Sequence, residues 1–373
     1  MDPGGVESWL LNLWRNIDRE RFQFDFCTFG RHAGLYAPEV EKLGAHVLRC
    51  PKGRNVLAFA RRFRRILREG HYDVVHSHVH LFSGAVLRWA AAEGVPTRIV
   101  HSHTSQDDRP NTLARRGYRR VMRSWIDSYS THGLAASKLA APGLFGENWE
   151  ADGRFRVLYY GIDLSPFAEV VDRDSVRRDM GIPPDAPVVG HVGRFVPPKN
   201  HQFLLDVARE ILNRRSDIHF LLAGDGPLRP EMEARAAELG LSAHVHFTRT
   251  RTDIPRLLRG AMDAFVFPSS QEGLGLSVVE AQAAGLHCVV SDAVPADVAA
   301  LPDSVEFLPL SGGSALWARR VLARLDMPRP DTDSVMRKLA QSRFSMADSI
   351  GGLIRIYMAG LLPAESLAVE QHA

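Results

Sequence analysis

Apolar positions along the chain form short β-like runs that alternate with longer stretches of helical period. Phe22–Phe26 and Val47–Cys50 read as strands. Asn55–Glu69 reads as a helix, with Val56, Phe59, Phe63, Ile66 and Leu67 mostly three or four residues apart. Asp73–His78 is a buried strand running into a loop, and Thr97–His101 and Gly133–Ala136 are further strands. Such alternation argues for a parallel sheet covered by helices. The rhythm changes near Val157–Phe167, where Gly161-Ile162-Asp163 and Pro166 mark a crossover loop. Val171–Asp185 is polar and ends in Pro183-Pro184, the composition of a linker. A second series then begins, with strands at Val188–Val192, Ile218–Ala223, His244–Phe247, Ala264–Phe267 and His287–Val290 and helices at Gln202–Leu212 and Arg229–Leu239. Gly351–Leu362 reads as a last helix packing back across the start.

The expected architecture is therefore α/β, with two doubly wound halves facing across a cleft. The expected boundaries are 1–165 for the first domain, 166–345 for the second, and 346–373 for a returning helix and tail. Ligands of open parallel sheets bind beyond the carboxyl ends of the strands, where strand order reverses.

Composition narrows the class. The chain has 373 residues, 45% hydrophobic and 24% charged, as expected of a globular protein with sizeable cores. Lys+Arg is 46 against 43 for Asp+Glu, an excess too small to argue for nucleic acid. No apolar run approaches a membrane span. The first residues show no basic stretch followed by an apolar one, so no secretory leader is expected. Cys27, Cys50 and Cys288 lack disulfide or zinc spacing and suit buried thiols in a reducing, cytoplasmic setting. Nearly all basic residues are arginine, so a lysine inside a motif, such as Lys199, carries extra weight.

Two segments carry candidate chemistry. In Glu272-Gly273-Leu274-Gly275-Leu276-Ser277-Val278-Val279-Glu280, two carboxylates flank a glycine-rich helix start that follows a strand. Free N–H groups at a helix mouth favour a diphosphate, and a carboxylate one turn in can accept from a ribose diol. A capped surface helix with a solvated glutamate would look the same. In the second segment, Gly193-Arg194 ends a strand and Lys199 follows on the same loop. Two cations there suit a diphosphate, or are simply solvated.

Together the two segments match in order and spacing a nucleotide-sugar glycosyltransferase. The chain resembles glycosyltransferase family 4, of the GT-B fold with two Rossmann-like domains. The resemblance extends through Gly4-Gly5-Val6-Glu7, Asp73-Val74-Val75-His76-Ser77-His78, His101-Ser102-His103, Gly161-Ile162-Asp163 and Gly224-Asp225-Gly226-Pro227. It implies a retaining transfer of a hexose from a nucleoside-diphosphate sugar, expected to be UDP-linked, to a glycan or lipid-linked acceptor in cell-surface polysaccharide synthesis. By that resemblance Arg194 and Lys199 hold the diphosphate and stabilise the leaving group, and Glu280 binds the ribose. Glu272 contacts hydroxyls of the donor sugar, and amides near Gly275 and Leu276 touch the phosphates. Gly4 and Gly5 form a tight loop, His103 lines the reaction centre, and Arg251 lies near the base. Attack from the front face, with the departing phosphate taking the acceptor's proton, makes Glu272 a positioning group. No Asp-x-Asp motif stands in a matching place, so no divalent metal and no cofactor are expected. The cluster His76, His78, His80, His101 and His103 is read as packing, with His103 lining the site.

Some features depart from the family or stand outside its donor motifs. Tyr160 stands where the family often has Asn. The strand that normally precedes the glycine loop is not in this sequence, from which about 10–15 further upstream residues are expected. Arg61–Arg68 and Arg115–Arg123 interleave arginine with apolar residues, a pattern suited to an anionic membrane surface or to a solvated face. Two other readings stay open: a sugar-nucleotide epimerase of the same fold, and a catalytically impaired sugar-nucleotide-binding protein.

Overall fold

A computed structural model describes residues 4–30, 32, 34–53, 55–104 and 110–359. The chain divides into two compact units, one of residues 1–161 and 346–373, the other Ile162–Ser345.

In the first unit, β1 (Asp25–Thr28) and β2 (His46–Arg49) form a two-stranded parallel sheet. Strands β3 (Val74–Ser77), β4 (Thr97–Ser102), β5 (His132–Ala135) and β6 (Phe155–Val157) form a four-stranded parallel sheet in sequential order. The strand expected at Phe22–Phe26 starts later because Phe22 and Phe24 are spent elsewhere. Phe24 stacks on Trp14 at 5.1 Å and Phe22 packs on Tyr357 at 6.3 Å. The helix Gly5–Asn16 buries Trp9, Leu11, Leu13 and Trp14. The helix Met346–Ala359 returns to this unit, where Trp9 Nε1 donates to Ser349 Oγ at 3.0 Å. It begins five residues before Gly351, because Gly351 and Gly352 lie inside it rather than opening it. A Cβ on Gly352 would stand 2.6 Å from Leu158 Cδ1, so the glycine permits close packing. The expected residues 360–373 of this segment lie outside the described residues.

In the second unit, β7 (Val188–Val192), β8 (His219–Ala223), β9 (Val245–Thr248), β10 (Ala264–Phe267), β11 (His287–Ser291) and β12 (Val305–Leu308) form one parallel sheet. Its order is β12-β11-β10-β7-β8-β9. Parallel sheets are covered on both faces, and strands β8, β10 and β11 are buried at every residue. The order reverses between β7 and β10, which makes the carboxyl ends of those two strands the switch point.

The polar stretch read as a linker is folded into this unit. It contains the helix Arg173–Asp179, capped by Asp172, whose side chain accepts from Ser175 N. Arg177 on this helix is 5% exposed and donates to Asp263 Oδ2 at 2.7 Å. Arg173 reaches Asp263 Oδ1 at 2.5 Å and Arg329 at 3.3 Å. Asp263 also accepts from Val188 N at 2.8 Å, and its own N–H donates to Val188 O at 2.7 Å. One carboxylate thus ties the starts of β7 and β10 to three guanidiniums. The same arginines donate to Arg259, Ala261 and Met262 carbonyls at the end of the helix Ile254–Gly260, where cations offset the helix dipole. Part of the polarity that suggested a linker, Arg173 and Arg177, belongs to this half-buried ion network, and the rest, such as Asp174 and Arg178, faces solvent on the same short helix.

Among the described residues no helix is long and apolar enough to cross a membrane. Replacing Asp263 with Asn should strand these cations and destabilise the second unit by about 3–5 kcal/mol, read as a shift in the urea midpoint. An unchanged midpoint would show that the network is dispensable.

Candidate functional site

The second-unit residues expected to bind a donor lie on loops at the carboxyl edge of its sheet. Gly193 and Arg194 follow β7, Arg251 follows β9, and Glu272 and Gly275 follow β10. Gly193 N donates to Ala223 O, Phe195 N to Asp225 O and Leu228 N to Phe195 O, so the β7 loop lies flat on the Gly224-Asp225-Gly226 turn. A Cβ on Gly224 would come within 2.0 Å of Gly193 O, and one on Gly226 within 2.6 Å of Phe195 O. Only glycine allows two backbones so close at these positive φ angles.

The loops after β7 and β10 are laced across the switch point. Ser270 N donates to Pro198 O at 2.8 Å and Asn200 Nδ2 to Pro268 O at 3.2 Å. Lys199 Nζ donates to Glu272 Oε1 at 2.5 Å, with both side chains mostly buried. Lys199 Nζ also lies 4.7 Å from the Phe267 ring centroid. Spacing alone could not reveal this pair, because its members are 73 residues apart. Arg194 is exposed, and its side chain forms no hydrogen bond or ion pair among the described residues.

Gly275, at φ +93°, turns the chain into the helix Leu276–Ala283, whose start has no side-chain cap. Its first N–H groups are thereby left for a ligand. Glu280 lies one turn in, partly buried, and its carboxyl has no hydrogen bond or ion pair among the described residues. Loss of hydration pushes its pKa up to about 7. Arg251 forms a two-pronged contact with Asp253 at 2.7 and 2.6 Å, which raises the guanidinium further above its ordinary value.

In the first unit, Gly4 caps the helix Gly5–Asn16 with extended backbone and Gly5 is its first residue. A Cβ on Gly5 would meet nothing, so packing within the protein does not demand glycine there. His103 lies just beyond β4. Its Nδ1 is hydrogen-bonded to the Tyr160 hydroxyl, and its Nε2 lies 3.0 Å from His78 Nδ1. His76 bridges the Tyr357 hydroxyl at 2.9 Å and His101 Nδ1 at 3.2 Å. Burial among one another holds His76, His78, His101 and His103 well below the ordinary histidine range, so all four are neutral. One ring nitrogen each from His76, His78 and His101 lies within 4.8 Å of the others, a donor set that suits a transition metal. Each of these rings is already hydrogen-bonded inside the protein. Sequence reasoning missed Tyr160 and His78 as partners of His103, and Trp9 as the ring stacked on Tyr160. The available signal was position: His78, His103 and Tyr160 all follow the carboxyl ends of strands in one sheet.

Comparison with known proteins agrees with this geometry. Residues 172–302 match the glycosyl transferases group 1 family and residues 4–136 the glycosyl transferase 4-like domain. The "Putative glycosyltransferase EpsF" of Bacillus subtilis (strain 168) is 34% identical over 363 residues, covering 96% of this chain and 94% of EpsF. The capsular polysaccharide biosynthesis glycosyltransferase CapH of Staphylococcus aureus is 26% identical, covering 75% of this chain and 76% of CapH. The structure of Anabaena Alr3699/HepE in complex with UDP and glucose superposes with a TM-score of 0.77 at 20% identity, covering 96% of each chain. With both family matches on the halves that the fold separates, the chain belongs to the family 4 glycosyltransferases of the GT-B fold, related to enzymes of polysaccharide biosynthesis.

Proposed function

We propose that this glycosyltransferase moves a hexose, with retention, from a UDP-sugar to a glycan or lipid-linked acceptor at the cytoplasmic face of the membrane. The observation that carries the donor assignment is Glu280. Its carboxyl is mostly withdrawn from water and has no hydrogen bond or ion pair among the described residues. That arrangement is costly unless a ligand brings hydroxyl donors, as a ribose diol does. The uncapped helix start at Gly275 and Leu276 and the cations Arg194 and Lys199 supply the complementary site for a diphosphate. A UDP complex among the structural neighbours fits a uridine donor.

Bond breaking places charge on the departing phosphate, and fixed cations and helix N–H groups stabilise that charge. Arg194, exposed and unpaired among the described residues, forks onto it in this reading, and Glu272 orients the donor sugar. The departing phosphate takes the acceptor's proton, and neither a metal nor a cofactor is required by this scheme. His103, Gly4 and Gly5 are assigned to the reaction-centre side of the first unit, and Arg251 to the base. The helices Val56–Gly70 and Leu113–Tyr129 turn arginines outward beside exposed Leu57, Leu113 and Val121, which suits an anionic lipid surface bearing the acceptor.

Incubation with a panel of radiolabelled sugar nucleotides and membrane extract tests the reading. Transfer from a UDP-sugar is the expected result, whereas an epimerised nucleotide or binding without turnover would replace it. Glu280→Ala should weaken nucleotide binding at least about tenfold, the worth of one charged hydrogen bond. Arg194→Ala should chiefly lower kcat, by about 10–100-fold. Unchanged kinetics in both variants would remove the site.

The raised Glu280 carboxyl also predicts a pH signature. A carboxyl that binds its proton more tightly in the native state costs stability as pH rises from the unfolded carboxyl range to about 7. Glu280→Gln should therefore be about 2–3 kcal/mol more stable than the parent at pH 8 and no more stable at pH 4. Denaturant titrations at the two pH values measure the difference.

A further inference from the structure

His103 offers a proton-counting problem whose solution assigns roles to two other residues. Both of its ring nitrogens are engaged, Nδ1 with the Tyr160 hydroxyl and Nε2 with His78 Nδ1 at 3.0 Å. The ring is neutral, so it has one N–H to give and one lone pair to offer. Tyr160 is 4% exposed, and burial drives its phenol well above the ordinary range, so it keeps its proton. Two arrangements satisfy the contacts. In one, the Tyr160 O–H donates to His103 Nδ1, and His103 Nε2–H donates to His78 Nδ1. In the other every proton runs the opposite way, and the buried phenol proton is left with no acceptor among the recorded hydrogen bonds. A stranded buried donor costs roughly 1–3 kcal/mol, which decides between them.

The phenol itself is held rigidly. Its ring stacks on Trp9 at 4.7 Å with an interplanar angle of 24°, and Trp9 is fully buried. His78 is stacked on His103 at 5.1 Å and is itself less enclosed than His101.

We propose that Tyr160 is a positioning residue that fixes His103 as the Nε2–H tautomer, and that His78 holds the place of a substrate oxygen, which takes over the Nε2–H when it binds. The second half rests on the reading that His103 lines the reaction centre. The incoming oxygen is a sugar hydroxyl or a phosphate oxygen, both of which accept from an imidazole N–H. Tyr160 stays on Nδ1 throughout, so no proton has to move for the exchange. The residue that departs from the family's usual Asn would thus do a specific task for this chain.

The test begins on the free full-length protein, labelled with 15N-histidine. Long-range 1H–15N correlation spectra, with His103 assigned by its loss in His103→Gln, should show a protonated Nε2 and a bare Nδ1. A protonated Nδ1 overturns the proposal. Tyr160→Phe keeps the ring on Trp9 and removes only the hydroxyl. It should give a mixture of His103 tautomers and lower kcat about tenfold, with the donor KM within about twofold, as expected for losing one orienting hydrogen bond. An unchanged tautomer and kcat would overturn the role of Tyr160. Should Tyr160→Phe fail to fold, the spectrum of the parent protein still decides the tautomer. His78→Leu should leave the tautomer intact and bind a UDP-sugar at least as tightly as the parent, and weaker binding would overturn the place-holding role. Full turnover by His103→Gln would remove His103 from the reaction centre. That result would refute the exchange with substrate while leaving the tautomer assignment standing.

Discussion

A parallel sheet covered on both faces takes polar groups out of water, and each of them must then find a partner inside. That constraint organises both units of this protein. In the second unit it collects three arginines and two strand starts around Asp263. At the opposite, carboxyl edge of the same sheet it joins Lys199 to Glu272. In the first unit it pairs the imidazoles with each other and with two tyrosines. Some buried groups escape it, among them the two ring nitrogens of His201. Glu280 is the acidic case, a carboxyl removed from most of the solvent with no hydrogen bond or ion pair among the described residues. On the helix proposed to hold the donor, such a group is where a ligand is expected to complete the accounting.

Legibility in the sequence followed the physical origin of each feature. Strands β7 and β10 coincide with their apolar runs, because a doubly covered strand is mostly apolar; buried His191 in β7 is the polar side chain among them and is hydrogen-bonded to Val266 O. Local glycine geometry was also readable, since Gly224 and Gly226 announce a close approach of two backbones. Aromatic residues near Phe22 were ambiguous because a ring serves a sheet face and an inter-helix pocket equally well. The stretch Val171–Asp185 was misjudged for a related reason. The two arginines that face an ion partner, Arg173 and Arg177, look in one dimension like the exposed charges beside them on the same helix.

The candidate site divides the same way. Glu272, Glu280, Arg194 and Lys199 were legible as candidates because their spacing reflects a strand, a loop and a helix start in immediate succession. Their mutual relation was not legible, since the Lys199–Glu272 contact depends on strand order rather than on sequence distance. His103 was singled out as a candidate, whereas its hydrogen-bond partners Tyr160 and His78 were not. Tyr160 is 57 residues away and joins His103 only because β4 and β6 deliver their carboxyl ends to the same edge of one sheet.

The Lys199–Glu272 ion pair has a consequence for selectivity. A free anion such as inorganic phosphate can attract Lys199 only by leaving Glu272 an unaccompanied negative charge in a largely dry setting. A ligand carrying sugar hydroxyls alone faces the mirror-image penalty. On the proposed reading of a nucleotide-sugar donor, negative oxygens and hydroxyl protons on one covalent frame would part the two residues and satisfy both at once, so the pair would favour the whole donor over either half of it.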